Sequence, residues 1–173
     1  MYDGLGSRGS FSRKSARRKY QSRGAVSRSR GLGPVERLED RMLLAISVEL
    51  DGGTIPRFQA DALSNHLTLR AGNAGLIEYS ADGSPFSSDL DSDAGTQSLT
   101  AASASRIEVW LGDGSDVLEL DFSSGTMIPI QGLVLDAGPG WDQVMVWADA
   151  SMWLGRNEIT VAGRGLAMLT DVE

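Results

Sequence analysis

Two segments of this chain repeat one pattern at a fixed distance, and that repeat limits the fold more than any other feature. Val109-Trp-Leu-Gly-Asp-Gly-Ser-Asp-Val-Leu-Glu-Leu120 is an apolar stretch, a Gly/Asp turn, and a second stretch with alternating side chains. Leu133 to Val146 repeats it, with Gly-Pro-Gly-Trp-Asp at 138–142 standing where Gly-Asp-Gly-Ser-Asp stands at 112–116. The two turns are 26 residues apart. A weaker third copy, Ile159 to Leu169, places Gly163 a further 25 residues on. Short apolar or alternating runs bounded by Gly and Asp read as strands. One such unit cannot bury its apolar face alone, so the repeat predicts units that stack on one another.

The predicted fold is an all-β body, a β-helix or β-roll-like solenoid of strand–Gly turn–strand units. A β-sandwich of hairpins is the alternative, because short strands with Gly turns at regular spacing fit it too. Upstream, Ile46–Leu50, His66–Leu69 and Leu76–Tyr79 read as further short strands, with turns at Asp51–Gly53 and Arg70–Gly75. Residues 54–66 are less regular, and Pro56 is expected to break any strand there. Ser80 to Ser105 is a long polar loop carrying Asp82, Asp89, Asp91 and Asp93. A loop of that length is either functional or mobile. Residues 171–173 follow the third copy with no capping segment, so the body 46–173 is expected to be truncated at its C-terminus.

Charge divides the chain. Residues 1–45 hold 11 of the 16 Lys and Arg and 4 of the 23 Asp and Glu, a net of +7. Residues 46–173 hold the remaining 5 and 19, a net of −14. Residues 1–33 are rich in Arg, Ser and Gly, with too few apolar side chains to offset the entropy of ordering, and are expected to form a disordered basic leader. Residues 34–45 suit a short amphipathic helix. Pro34 fits its first turn, Glu36, Glu39 and Asp40 lie toward its positive end, and Val35, Leu38 and Met42 form one stripe. No apolar run approaches the ~20 residues needed to span a bilayer, so no transmembrane segment is expected. The absence of cysteine excludes disulfides and thiolate metal sites. A body of net −14 repels phosphate, which argues against nucleic acid as a partner.

Two resemblances follow from these residues. Leu38-Glu-Asp-Arg-Met-Leu-Leu-Ala45, after a basic Arg/Ser-rich leader, resembles the LEPR-XLL motif at the N-termini of surface and secreted proteins of planctomycete-type bacteria. Leu38, Glu39, Arg41, Leu43 and Leu44 match, and Asp40 replaces the motif's Pro. The resemblance implies sorting or export through the N-terminus and a secreted or cell-surface location. The turns resemble the repeats-in-toxin, haemolysin-type calcium-binding nonapeptide. Gly112, Gly114, Asp116 and Leu118 match in the first turn, and Gly138, Gly140, Asp142 and Val144 in the second. This resemblance implies calcium held by Asp113, Asp116 and Asp142, hard oxygen ligands of the kind that ion takes.

Catalytic chemistry is poorly provided for. His66 is the sole histidine, Ser64 and Asp61 lie near it in a generic polar turn, and no G-x-S-x-G is present. Glu119 and Asp121 share a strand face, as acidic residues on solvated strands commonly do. No catalytic residue is assigned. Trp110, Trp141, Trp147 and Trp153 gather in the C-terminal half, expected to fill or flank the stack, with Trp141 the most exposed. The expected protein is an exported or cell-surface structural or adhesive β-repeat protein, stabilised by calcium. Its expected partners are export machinery and a surface polysaccharide or protein. A fragment of a polysaccharide-active β-helix enzyme, or a carbohydrate-binding module, is the alternative.

Overall fold

In a computed structural model, residues 46–170 are described. The expected leader, the helix 34–45 with its motif, and residues 171–173 lie outside the described residues. The described residues are all-β, with one 3₁₀ turn at Asn73–Gly75 and no α-helix among them. The strands are β1 (Ile46–Asp51), β2 (Ile55–Ala60), β3 (His66–Ala71), β4 (Ile77–Ala81), β5 (Ile107–Trp110), β6 (Val117–Asp121), β7 (Leu133–Asp136), β8 (Gln143–Trp147), β9 (Met152–Leu154), β10 (Glu158–Val161) and β11 (Gly165–Thr170). They form two mixed sheets. The larger has the order β1-β2-β5-β7-β11-β10-β9, and the smaller β4-β3-β6-β8.

The repeat explains the parallel centre of each sheet. In the larger sheet β2, β5, β7 and β11 run parallel, with Phe58 beside Val109, Val109 beside Leu135, and Leu135 beside Leu169. In the smaller, β3, β6 and β8 run parallel, aligning Leu67 with Leu118 and Val144, and Leu69 with Leu120 and Val146. Apolar residues at equal repeat positions therefore form columns, and both sheets bury them in one hydrophobic cluster. Phe58, Val109, Leu118, Leu133 and Leu135 have no exposed surface, and each contributes roughly 1.5–3 kcal/mol by burial. The Gly turns at 112–116 and 138–142 carry the chain from one sheet to the other, and close no hairpin.

Three expectations are corrected. The third copy has the expected strand–Gly turn–strand form but does not stack as a further unit: β10 and β11 form an antiparallel hairpin around Gly163 within one sheet, with Val161 opposite Gly165. Among the described residues nothing lies within 4 Å of a Cβ placed on Gly163, so none of their turns is stacked against it. Pro56 does not break the chain's extension. It lies inside β2, before the β2–β5 ladder begins at Arg57, where its missing N–H costs no bond to β5. The loop from Ser80 to Ser105 is not a free excursion. Tyr79 and Ser87 exchange backbone hydrogen bonds, Leu90 N–H donates to Gln97 C=O, Ile77 N–H donates to Leu99 C=O, and Leu90 is fully buried. This loop and β4 explain why β2–β3 stand 51 residues before β5–β6, about two repeats rather than one.

Candidate functional site

The sheet-to-sheet turns stack into a column, and a third member lies upstream of the two legible in the sequence. Asp61-Ala-Leu-Ser-Asn65 joins β2 to β3 at the level below Gly112–Asp116, and Gly138–Asp142 lies above. Each turn is held to the next by a carboxylate reaching back to a backbone donor. Asn65 N–H donates to Asp116 Oδ1 at 2.7 Å, and Asp116 N–H donates to Asp142 Oδ1 at 2.9 Å. Asn65 Nδ2 donates to Asp61 Oδ1 and to Leu63 C=O, which shapes the lowest turn. The same position in three successive turns is thus Asn, Asp, Asp, and all three side chains are buried.

Glycine makes the close stacking possible. A Cβ on Gly138 would lie 2.1 Å from Gly112 O, and one on Gly140 would lie 1.6 Å from Gly114 O. Gly112 and Gly114 meet Asp61 O and Leu63 O in the same way, at 2.9 and 2.6 Å. Gly112 and Gly138 also hold φ of +81° and +79°, in the left-handed region that side chains avoid.

The column leaves three buried oxygens without a hydrogen-bond partner among the described residues: Asn65 Oδ1, Asp116 Oδ2 and Asp142 Oδ2. Unpaired polar atoms in a low-dielectric interior are costly. At Asp116 this desolvation raises the carboxyl pKa above its ordinary value; the Asn65 N–H opposes it, and the neighbouring charge of Asp142 adds to it. Asp116 and Asp142 are therefore brought together, whereas Asp113 sits exposed on the crest of its turn, apart from them.

The other sequence candidates are dispersed. His66 Nε2 lies 3.1 Å from Glu119 Oε2, while Ser64 Oγ accepts from Ser115 N–H, so Ser64 and His66 do not form a nucleophile–base pair. Asp121 accepts from Ser123 N–H. In the acidic loop, Asp82 accepts from His66 N–H, Asp89 from Gln97 N–H and Asp91 from Asp93 N–H, which are roles in the loop's own shape. Among the described residues no three His, Asp or Glu gather as a metal-binding group. The tryptophans are all at the surface, not in the core: Trp141 is 78% exposed, Trp153 59%, Trp147 55% and Trp110 36%. The ring of Trp110 lies under Arg57, 4.7 Å away, and Arg57 also pairs with Glu49, Asp51 and the buried Glu108. That Arg57 cluster, on the outer face of the larger sheet, was not legible in the sequence because its members are 49 to 110 in number and meet only through the β1–β2–β5 register. No family model, curated protein or solved structure matches this chain.

Proposed function

We propose that the chain is an exported or cell-surface protein whose body is a short β-solenoid with a structural and adhesive role. What supports the reading is the column of stacked turns. Equivalent positions in successive units hydrogen-bond to one another, an arrangement that builds a rigid rod side by side with its own repeats and needs no catalytic pocket. The exposed tryptophans support adhesion, since each offers an apolar ring with a polar edge to a sugar or protein surface. Fractionation of the native cell, with mass spectrometry of the mature N-terminus, tests the location. The protein is expected in the surface or secreted fraction, and a purely cytosolic protein would sink the proposal.

Calcium belongs to the same reading. The unpartnered oxygens of Asn65, Asp116 and Asp142 are hard donors of the type calcium takes, and a bound ion would neutralise the buried carboxylates. Asp113, on the exposed crest, would join only from outside the buried set. If the ion binds, millimolar Ca²⁺ raises the melting temperature by a few degrees, reversed by chelator, because a ligand of the folded state stabilises it by mass action. No thermal shift at that concentration removes calcium from the proposal.

A further inference from the structure

The upper end of the stack is uneven. In the larger sheet β7 is covered by β11, but in the smaller sheet β8 is the last strand among the described residues. The core-facing Val144 and Val146 of β8 are only partly buried, whereas Leu118 and Leu120, one level below, are fully buried. A groove of about 420 Å³ runs beside β8, with Val144 and Met145 on one wall and Leu154, Ile159 and Leu169 on the other, and with Glu158 at its side as an exposed charge.

The free edge of β8 has a definite hydrogen-bonding pattern. Gln143 N–H donates to Asp116 C=O and Trp147 C=O accepts from Phe122 N–H, so the odd-numbered residues of β8 bond to β6. Backbone groups alternate in direction along a strand, so the N–H and C=O of Val144 and Val146 point outward, away from β6. These two residues are symmetric about Met145. An antiparallel copy of β8, turned about a two-fold axis at Met145, sets Val144 opposite the partner's Val146 and the reverse. Each is then a pair that exchanges both of its hydrogen bonds, and all outward groups of both copies are satisfied.

Charge selects the same end. The described body carries 17 Asp and Glu against 5 Lys and Arg, so two copies repel over most of their surface. Gln143-Val-Met-Val-Trp147 and the neighbouring Met152-Trp-Leu154 carry no charge, and Met145, Trp147, Met152, Trp153 and Leu154 are all exposed there. β8 also lacks the Pro, Lys or bulge that ordinarily guards an edge strand.

We propose that β8 is a two-fold interface at which a second copy of this chain adds antiparallel, continuing the smaller sheet from one molecule into the next. The chain has no cysteine, which makes a test with a single introduced thiol clean. At the centre of such an interface the two residues at position 145 form a non-hydrogen-bonded pair with Cα atoms about 4.5 Å apart, within reach of a disulfide. In the full chain, Met145→Cys is expected to give a covalent dimer under mild oxidation, while Met168→Cys, more exposed but on β11, is not. Light scattering is expected to show a dimer at tens of micromolar, and Met145→Lys, which sets two charges face to face, is expected to weaken it at least tenfold. Circular dichroism of Met145→Lys verifies that the fold is kept. A wild-type monomer at 100 µM overturns the proposal. So does a dimer that Met145→Lys leaves unchanged and that Met145→Cys fails to cross-link.

Discussion

Replacing Gly138 with alanine is expected to cost on the order of 2–5 kcal/mol, a large share of the roughly 5–15 kcal/mol that keeps a domain folded. Two effects add. The φ of +79° becomes strained once a Cβ is present, at about 1–2 kcal/mol. The new Cβ would also lie 2.1 Å from Gly112 O, so the upper turn must lift by about an ångström. That movement weakens the Gly114 N–H to Pro139 C=O bond and the Asp116 N–H to Asp142 Oδ1 bond, each about 0.5–1.5 kcal/mol. Gly163→Ala is the matched control. Its φ is +67°, but no atom lies within 4 Å, so only the backbone strain of about 1–2 kcal/mol remains. Urea unfolding of the three proteins checks the contrast. Equal losses at 138 and 163 would mean that the turns do not stack.

Those two glycines look alike in the sequence, and the difference between them shows what could be read there. The 26-residue spacing and the alternating strands were legible because burial demands apolar residues at equal positions, and β5 to β8 follow that pattern directly. The sequence around Gly163 does not tell a hairpin from a stacked turn, because a left-handed residue serves both. The lowest turn, Asp61–Asn65, was hidden for the opposite reason. The Cβ of each stacked glycine points at the turn beneath, at Asp61 O and Leu63 O for Gly112 and Gly114. Asp61 and Leu63 do not have positive φ, so that turn leaves no glycine signature. Its one shared signal was Asn65, an amide in the place of the later aspartates. That Asp116 Oδ1 accepts a backbone N–H from the turn below was illegible, because the sequence shows the residue but not its burial.

Asp116 gives the second large effect. Asp116→Ala is expected to cost about 1–3 kcal/mol, since Asn65 N–H loses its acceptor and remains buried. Asp116→Asn should behave in the opposite way in metal-free buffer. Its amide oxygen keeps the bond to Asn65 N–H, and a neutral amide stands where the carboxylate's Oδ2 has no partner among the described residues. It also removes a charge that burial makes unfavourable. The pH dependence follows from the raised carboxyl pKa of the folded state. The folded protein holds the Asp116 proton more tightly than the unfolded chain does. Stability from this group is therefore fully present below the unfolded value of about 3.9, and is lost as pH rises through the folded value. The advantage of Asp116→Asn over wild type should then be greatest at neutral pH and shrink toward pH 4, as wild-type Asp116 takes up its proton. Paired urea titrations across that range, in chelator, measure the difference with all other titrating groups held in common. A difference that does not change with pH would show that the ionised carboxylate costs the fold nothing.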